Sequence, residues 1–399
     1  MSEKSSRPVV VLRQGRESAV RRRHPWIFSG AVAERKGTLQ RGCLVDVRAK
    51  DGALLGAGHW GTRGIAVRML SFQEVADEKV LIREKLLNAV SVRERLGLLH
   101  NPSTNGYRLV HAEGDELPGL VIDVYGNTAV VQCHSAGMWR LKDAIQELLL
   151  DAKALNLEVV AFRRVESQIE DPEQGPEVSD QAPQEPSQIV SFSENGLRFL
   201  ADITGGQKTG FFLDQRINRQ KIRDLSRGKH VLNAFCYTGA FSVYAIAGGA
   251  ESVVSVDASK SAIDLCRQNV VANFASAPHH AEVADCFSYL GQIPDTFDVI
   301  VLDPPAFAKH QRAVQRAVRG YEAINTLALK KIKPGGVLAT FSCSQLISRE
   351  LFRDAVMRAA VAAGRFVRIV DLLHQAPCHP TSIFHPEGDY LKGFIMFVE

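Results

Sequence analysis

From about Thr209 onward, the sequence alternates short apolar runs rich in β-branched residues with stretches of helical periodicity. The apolar runs cover 231–235, 252–256, 299–302 and 336–341, and the helical stretches cover 241–246, 260–272 and 319–331. Such alternation is typical of an α/β fold in which helices cover both faces of a doubly wound, mostly parallel sheet. A further apolar run at 393–398 predicts a final edge strand. Because ligands of such sheets bind at the carboxyl ends of the strands, the site should lie there.

The segment at the end of the first apolar run allows a ligand to approach the backbone closely. It places small residues directly after a buried strand, a pattern that favours binding at the strand's carboxyl end. The G-x-G-x-x-G pattern of dinucleotide sites is absent. We therefore expect a nucleotide-type cofactor other than a dinucleotide, held by Asn233, Phe235, Tyr237, Thr238 and Gly239.

Acidic residues follow the next strands in register with this loop. Asp257 comes at the end of the second run, about twenty residues after the loop, where an acid binds ribose hydroxyls in nucleotide-type folds. The competing interpretation is that Asp257 caps the helix that follows. Asp285 is the next acid in register, and we expect it to reach the adenine amino group.

The strongest motif is an apolar strand that ends in Asp303-Pro304-Pro305. The two prolines fix the backbone and remove two N–H donors. The Asp303 carboxyl and the neighbouring carbonyls are thereby left to accept hydrogen bonds from a base that carries an amino group. We expect Asp303 to contribute to the cofactor site as well.

Cys343 ends the strand after the Asp-Pro-Pro strand, in Phe341-Ser342-Cys343-Ser344. Both strand ends should face the same crevice. Carbon-5 of a pyrimidine is too weak a nucleophile to attack a methyl sulfonium directly, and a thiolate that adds to carbon-6 makes it an enamine-like nucleophile. An ordinary thiol, with a pKa of about 8.5, needs surroundings that favour the thiolate. The motif predicts Cys343 as the catalytic nucleophile, although many cysteines at strand ends are only apolar fillers.

Positive charge is concentrated in residues 1–73, which hold fourteen Lys and Arg and five acids, about +9, whereas the remainder is about −5. Short strands at 9–12, 42–48, 54–59 and 65–70 with tight turns predict a small β-barrel. Arg21, Arg22 and Arg23 run directly into Trp26 and Phe28, and such a stretch can bind an RNA backbone. We expect these arginines and Lys208 to contact RNA, and the two aromatic rings to lie in the barrel core. A solvated, arginine-rich surface is the alternative.

Residues 74–205 predict a separate α+β domain. A helix is expected at 76–98 and another at 138–151, with strands at 107–111, 119–124, 129–134, 159–162, 189–193 and 197–201. An acidic, proline-rich loop covers 170–186. The predicted domains are therefore 1–73, 74–205 and 206–399.

Composition excludes several other classes of protein. The 399 residues are 45% hydrophobic and 23% charged, as in ordinary globular proteins, and no run of eighteen apolar residues predicts a membrane span. The seven cysteines show no CxxC and no paired spacing, so we expect neither a disulfide framework nor a metal site. These features and the lack of a signal pattern predict a cytoplasmic protein with reduced thiols.

Seven motifs over nearly the whole chain carry a family resemblance, at 22–30, 208–216, 233–241, 302–307, 320–321, 341–344 and 390–394. Together they resemble the bacterial 23S ribosomal RNA cytosine-C5 methyltransferases of the RlmI type. The resemblance implies a PUA domain, a middle β-β-α-β-β-like domain and a class I methyltransferase domain that uses S-adenosylmethionine. It also implies 23S ribosomal RNA as the partner, Cys343 as the nucleophile of the Ser-Cys-Ser motif and Asp303 as the acid that holds the cytosine. The oligomeric state stays open, with a homodimer compatible.

Three alternatives to cytosine-C5 methylation remain at this point, and one difference from related enzymes bears on the mechanism. Many RNA cytosine-C5 methyltransferases have a second cysteine directly after Asp-Pro-Pro, where this chain has Ala306. Uridine-C5 enzymes place their nucleophile in a similar Ser-Cys-Ser motif, so uridine is a rival substrate, and the base that removes the C5 proton is unassigned. A guanine nitrogen is another rival target, for which Asp-Pro-Pro suffices and Cys343 only packs. The third alternative is a non-catalytic RNA-binding protein with a methyltransferase fold.

Overall fold

The computed structural model describes residues 7–62, 64–163, 188–293, 297–308 and 310–399. The chain forms two compact units, and it passes between them several times. The first unit comprises Met1–Val190, Asp202–Gly210 and Pro377–Gly388, and the second comprises Ser191–Ala201, Phe211–Ala376 and Asp389–Glu399. The three-domain division at 73 and 205 stays a prediction.

A six-stranded sheet begins the first unit. Its elements are β1 (Val9–Leu12), α1 (Ser18–Arg21), β2 (Trp26–Phe28), β3 (Val32–Lys36), β4 (Leu44–Arg48), β5 (Leu54–Trp60) and β6 (Ile65–Ser71). The strand order is β2-β6-β5-β4-β1-β3. In β4 the side chains of Val45 and Val47 are fully buried and their neighbours are partly exposed, as the two-residue period of a strand requires.

The expectation that Trp26 and Phe28 lie in the core of this sheet was wrong. Side chains alternate along β2, so Ile27 between them is the buried residue. The Phe28 ring is 52% exposed. Trp26 is half-buried, and its indole N–H donates to Oε1 of Glu113 at 2.8 Å.

A four-stranded sheet, in the order β10-β9-β8-β7, follows in the same unit. Its elements are α2 (Glu78–Arg95), β7 (Gly106–His111), β8 (Leu120–Tyr125), β9 (Thr128–Cys133), α3 (Ala136–Arg140), α4 (Lys142–Asp151) and β10 (Val159–Arg163). Helix α2 begins where the Asp77 carboxylate accepts the backbone N–H groups of Lys79 and Val80. The single helix expected at 138–151 is two helices that meet at Leu141. The loop expected at 170–186 lies outside the described residues.

A seven-stranded sheet forms the second unit and confirms the α/β prediction. Its strands are β13 (His230–Ala234), β14 (Ser252–Asp257), β15 (His279–Val283), β16 (Phe297–Leu302), β17 (Ile332–Ser342), β18 (Val367–Leu373) and β19 (Lys392–Val398). Its helices are α5 (Arg216–Asp224), α6 (Ala240–Ala247), α7 (Lys260–Val271), α8 (Cys286–Gln292), α9 (Val314–Lys331) and α10 (Arg349–Ala363). The order is β15-β14-β13-β16-β17-β19-β18, and all neighbours are parallel except β19, which is antiparallel to both of its partners.

The run at 393–398 is therefore not an edge strand. Strand β19 lies between β17 and β18, and its residues Phe394, Ile395, Met396 and Val398 are at most 3% exposed. Nearly continuous apolar residues are the signature of a strand buried on both faces. The edge is β18, in which Val370 and Leu372 are exposed.

A hairpin of β11 (Ile189–Glu194) and β12 (Leu197–Asp202) contributes most of its residues to the second unit. Glu194 of β11 and Arg219 of α5 form a buried, bidentate ion pair. The Arg219 Nε lies 2.8 Å from Oε1 of Glu194, and Nη2 lies 2.7 Å from Oε2. The Arg219 guanidinium also lies over the rings of Phe211 and Tyr244. This pair joins the hairpin to the helical layer beside the sheet.

Candidate active site

The loop after β13 has an unusual backbone. Phe235, Tyr237 and Gly239 all have positive φ, at 59°, 47° and 77°. Non-glycine residues seldom adopt this region, and clusters of it mark functional loops. A Cβ on Gly239 would come within 2.2 Å of the Cys266 sulfur, so this glycine is required for packing against α7 as well as for its backbone angle.

Asn233 lies beneath this loop and is 1% exposed. Its Nδ2 donates to Oγ of Ser242 at 2.9 Å. Its Oδ1 is buried and accepts no hydrogen bond from the described residues. An unsatisfied buried oxygen is costly, and a ligand with N–H or O–H groups would relieve that cost.

Asp257, at the end of β14, fixes the loop after β13 by hydrogen bonding. Its Oδ2 accepts the backbone N–H of Tyr237 at 2.9 Å, and its Oδ1 accepts that of Ser259 at 2.9 Å. The N-cap of α7 is Ser259, which accepts from the N–H of Ala262, so the interpretation of Asp257 as that helix's cap was wrong. A carboxylate has about four acceptor positions, so two loop N–H groups still leave room for ribose hydroxyls.

Asp285 follows β15 and caps α8, since its Oδ1 accepts the backbone N–H and the hydroxyl of Ser288, both at 2.9 Å. Beside it, the Phe287 ring lies 6.3 Å from that of Phe235 and 6.4 Å from that of Phe307, measured between centroids. Aromatic rings next to an acid suit a flat, amino-bearing base such as adenine.

These residues fit S-adenosylmethionine. Three carboxylates, those of Asp257, Asp285 and Asp303, follow strands β14, β15 and β16 at the carboxyl edge of the sheet. Carboxylates accept hydrogen bonds from hydroxyl and amino groups and attract a sulfonium, whereas they would repel the phosphates of a dinucleotide. This set of acceptors and negative charges therefore matches a cationic nucleoside.

Asp303 is held by two residues that the motif analysis left without a role. Gln215 donates from Nε2 to Oδ2 of Asp303 at 2.9 Å. Asn218 donates from Nδ2 to Oε1 of Gln215 at 2.6 Å and to the carbonyl oxygen of His374 at 3.0 Å. Because Asn218 occupies the Gln215 oxygen, the amide nitrogen faces Asp303. The only sequence signal for Gln215 was its place in the motif at 208–216.

Cys343 follows the last residue of β17 and is partly buried. Its sulfur lies 4.0 Å from the carbonyl oxygen of Pro304, so the thiol and the Asp-Pro-Pro turn are neighbours, as predicted from the topology. The buried Tyr321 fixes the residues on either side of it. Its hydroxyl accepts from Oγ of Ser342 at 2.9 Å and hydrogen-bonds Oγ of Ser344 at 3.0 Å. Burial raises the pKa of Tyr321, so its hydroxyl keeps its proton in this role.

The residues expected to contact RNA lie in the first unit. Arg21, Arg22 and Arg23 are exposed at and just after the end of α1, and Arg23 has a positive φ of 62°. Lys208 is also exposed, and its carbonyl oxygen accepts Nε2 of Gln132 at 3.0 Å. The exposed Phe28 ring belongs to the same basic segment, so cations and an aromatic face are both available to a nucleic acid.

Two negative findings concern the described part of the chain. None of its helices is long and apolar enough to cross a membrane. Nor do its His, Cys, Asp and Glu side chains form a group of three or more that could hold a metal ion.

Comparisons with known proteins agree with this geometry. A family model for S-adenosylmethionine-dependent methyltransferases matches residues 168–382, and one for a PUA-like domain matches residues 10–72. Ribosomal RNA large subunit methyltransferase I of Aeromonas hydrophila is 41% identical over 398 residues, which covers 97% of this chain and 98% of that protein. The protein of the same name from Shewanella amazonensis is 41% identical over 394 residues, with the same coverage. A Streptococcus mutans structure described as a SAM-dependent methyltransferase has a TM-score of 0.79 at 21% identity, covering 98% of this chain and 99% of that one.

The fold and the site define a class I methyltransferase that uses S-adenosylmethionine, preceded by a PUA-like domain. More narrowly, the chain belongs to the ribosomal RNA large subunit methyltransferase I family, as its identity to those proteins over nearly its whole length shows. The predicted cofactor and family are both confirmed.

Proposed function

We propose that this protein methylates carbon-5 of a cytidine in 23S ribosomal RNA through a covalent bond between Cys343 and carbon-6 of the base. The observation that carries this proposal is the 4.0 Å approach of the Cys343 sulfur to the Pro304 carbonyl oxygen. A partly buried thiol beside the Asp-Pro-Pro turn has the position that covalent catalysis on a bound pyrimidine needs. The names of the relatives supply the RNA: both are large-subunit ribosomal RNA methyltransferases.

S-adenosylmethionine, when bound, supplies a methyl group on a sulfonium. The residues that would hold it are Asn233, the loop from Phe235 through Tyr237 and Thr238 to Gly239, and the carboxylates of Asp257, Asp285 and Asp303. The Cys343 thiolate would form a bond to carbon-6 and displace an electron pair onto carbon-5. That carbon would take the methyl group as the methyl–sulfur bond breaks and leaves its electron pair on the sulfur. Loss of the C5 proton then returns electrons to the ring, and the sulfur–carbon bond breaks. Ala306 carries no thiol that could assist this release.

Asp303 favours cytosine over uridine in this scheme. Its carboxylate can accept a hydrogen bond from Gln215 and another from the cytosine amino group, because it has about four acceptor positions. Uridine presents a carbonyl oxygen at that position, and two acceptors facing each other in a partly buried site repel. Asp303 would thus orient the base while Cys343 attacks it.

Removing the Asp257 carboxylate should weaken cofactor binding. We expect Asp257→Ala to lower S-adenosylmethionine affinity about ten-fold or more, because two ribose hydroxyls lose their acceptor at about 1–3 kcal/mol. Titration calorimetry measures this directly. Asp264→Ala is the matched control, since Asp264 is a solvent-accessible acid on α7 paired with Lys260 and Arg267. Unchanged affinity in Asp257→Ala would refute the assignment.

Neutralising Arg21, Arg22 and Arg23 to glutamine should weaken RNA binding. Fewer counterions are released from the RNA, so the slope of log affinity against log salt should flatten by about 2, at roughly 0.7 for each lost phosphate contact. Cofactor affinity should not change. A control with Lys260, Arg267 and Arg353 changed to glutamine removes the same charge from the second unit. Equal slopes for both triple variants would show that RNA docks elsewhere.

A further inference from the structure

Lys392 is a buried lysine that pairs across β17 and β19 with Ser342, the residue before the proposed nucleophile. It begins β19 and is 4% exposed. Its ammonium donates to the carbonyl oxygen of Ser344 at 2.7 Å and to that of Ile347 at 2.6 Å. Both acceptors belong to the turn that directly follows Cys343. A cation in the interior is costly without a compensating negative group, so its retention there calls for an explanation.

We propose that Lys392 is a positioning residue that holds the turn after Cys343 and stabilises the Cys343 thiolate by its positive charge. The inference rests on the proposed function, in which Cys343 must react as a thiolate. The two carbonyls explain how the ammonium is held, but they are neutral dipoles. A thiolate on Cys343 supplies negative charge to this ammonium, in addition to that of Asp389.

The charged groups that act on Lys392 are consistent with this geometry. Burial lowers the pKa of Lys392 to about 8, and a negative charge on Cys343 acts in the opposite direction, with Asp389 adding to it. Arg349 lowers the pKa of Lys392 by repulsion. The Tyr321 hydroxyl, which bonds the residues before and after Cys343, is kept protonated by burial and so contributes no charge. Asp303 is the acid of the adjoining turn and opposes a thiolate, which makes a nearby cation more necessary.

Coupling of this kind must be reciprocal. If the thiolate favours the charged lysine, the charged lysine favours the thiolate by the same free energy. A purely structural lysine, needed only to tie the turn, would leave the acidity of Cys343 unchanged. The two roles are therefore distinguished by the pH profile of the thiol.

The experiment is alkylation of the full-length protein with iodoacetamide over a range of pH, without RNA. Mass spectrometry of the Cys343 peptide separates this thiol from Cys43, which is also partly buried. We expect Lys392→Met to raise the pKa of Cys343 by about one unit and to slow its alkylation near neutral pH about ten-fold. Lys392→Arg, which keeps the charge, should stay within about two-fold. An unchanged profile in Lys392→Met would overturn the proposal.

A second measurement covers the case in which Lys392→Met does not fold. Cys343→Ala removes the thiolate from a partly buried position and should leave the fold intact. We expect the pKa of Lys392 in that variant to fall below its value in the unaltered protein, as followed by NMR of lysines labelled at Cε. An identical lysine titration in both proteins would refute the coupling. Neither measurement uses RNA, so a negative result for the coupling of Lys392 and Cys343 leaves the substrate proposal standing. Conversely, absence of the RNA adduct with the coupling intact would refute only the substrate proposal.

Discussion

Replacing Cys343 with alanine is expected to abolish methylation of ribosomal RNA while S-adenosylmethionine binds with nearly its original affinity. The thiol is needed by the base and not by the sulfonium, so the two readouts should separate completely. Methyl transfer is measured with labelled cofactor, and binding by calorimetry. An active Cys343→Ala enzyme would overturn the mechanism and favour methylation of a guanine nitrogen.

The same chemistry predicts a trapped complex. In RNA that carries 5-fluorocytosine, fluorine replaces the C5 proton and cannot leave as a cation, so the bond between Cys343 and carbon-6 persists. The complex should survive denaturing electrophoresis and disappear in Cys343→Ala. The other six cysteines should be replaceable without loss of the adduct, including Cys236 and Cys286 near the cofactor loop. An adduct that persists in Cys343→Ala would show that another nucleophile is used.

The largest effect on stability is expected at the Arg219–Glu194 pair. Arg219→Met leaves the Glu194 carboxylate fully buried without its cation, which should lower the free energy of unfolding of the second unit by about 3–5 kcal/mol. The three tryptophans, Trp26, Trp60 and Trp139, all lie in the first unit, so their fluorescence does not report on this change. Hydrogen exchange of strands β13 and β16 is the suitable measurement.

Two controls define that result. Lys260→Met removes an exposed ion pair with Asp264 and should leave the free energy of unfolding nearly unchanged. A double variant, Arg219→Met with Glu194→Leu, removes both buried charges and should recover much of the loss. If the double variant were as unstable as the single one, the stacking of Arg219 on Phe211 and Tyr244 would matter more than its charge.

The hydrophobic periodicity of the sequence, and the polar residues that follow its apolar runs, predicted most of the second unit. Asp257, Asp285 and Asp303 could be placed at one edge because each ends or follows a strand, and parallel strands share an edge. Strand β15 was missed because it reads His-His-Ala-Glu-Val, in which only Ala281 and Val283 are apolar. Strand β18 was missed because its exposed residues are those of an edge.

Side-chain contacts between residues far apart in the chain could not be predicted from the sequence. Gln215 donates to Asp303, which lies 88 residues away in the sequence, and no local sequence pattern predicts such a pair. The role of Lys392 likewise depends on β19 lying next to β17. In the first unit, Phe28 was misplaced because aromatic residues are usually buried, whereas the alternation along β2 assigns the core position to Ile27.

The position of β19 has a consequence for the order in which the second unit can assemble. Strand β18 comes before β19 in the chain, yet among the described strands its ladder partner is β19 alone. It therefore joins the rest of the sheet only when 392–398 have paired with 336–342. Until then β17 presents an open apolar edge, the kind of surface on which partly folded chains associate. A change that weakens the pairing of β19 with β17 should therefore also release β18 from the sheet.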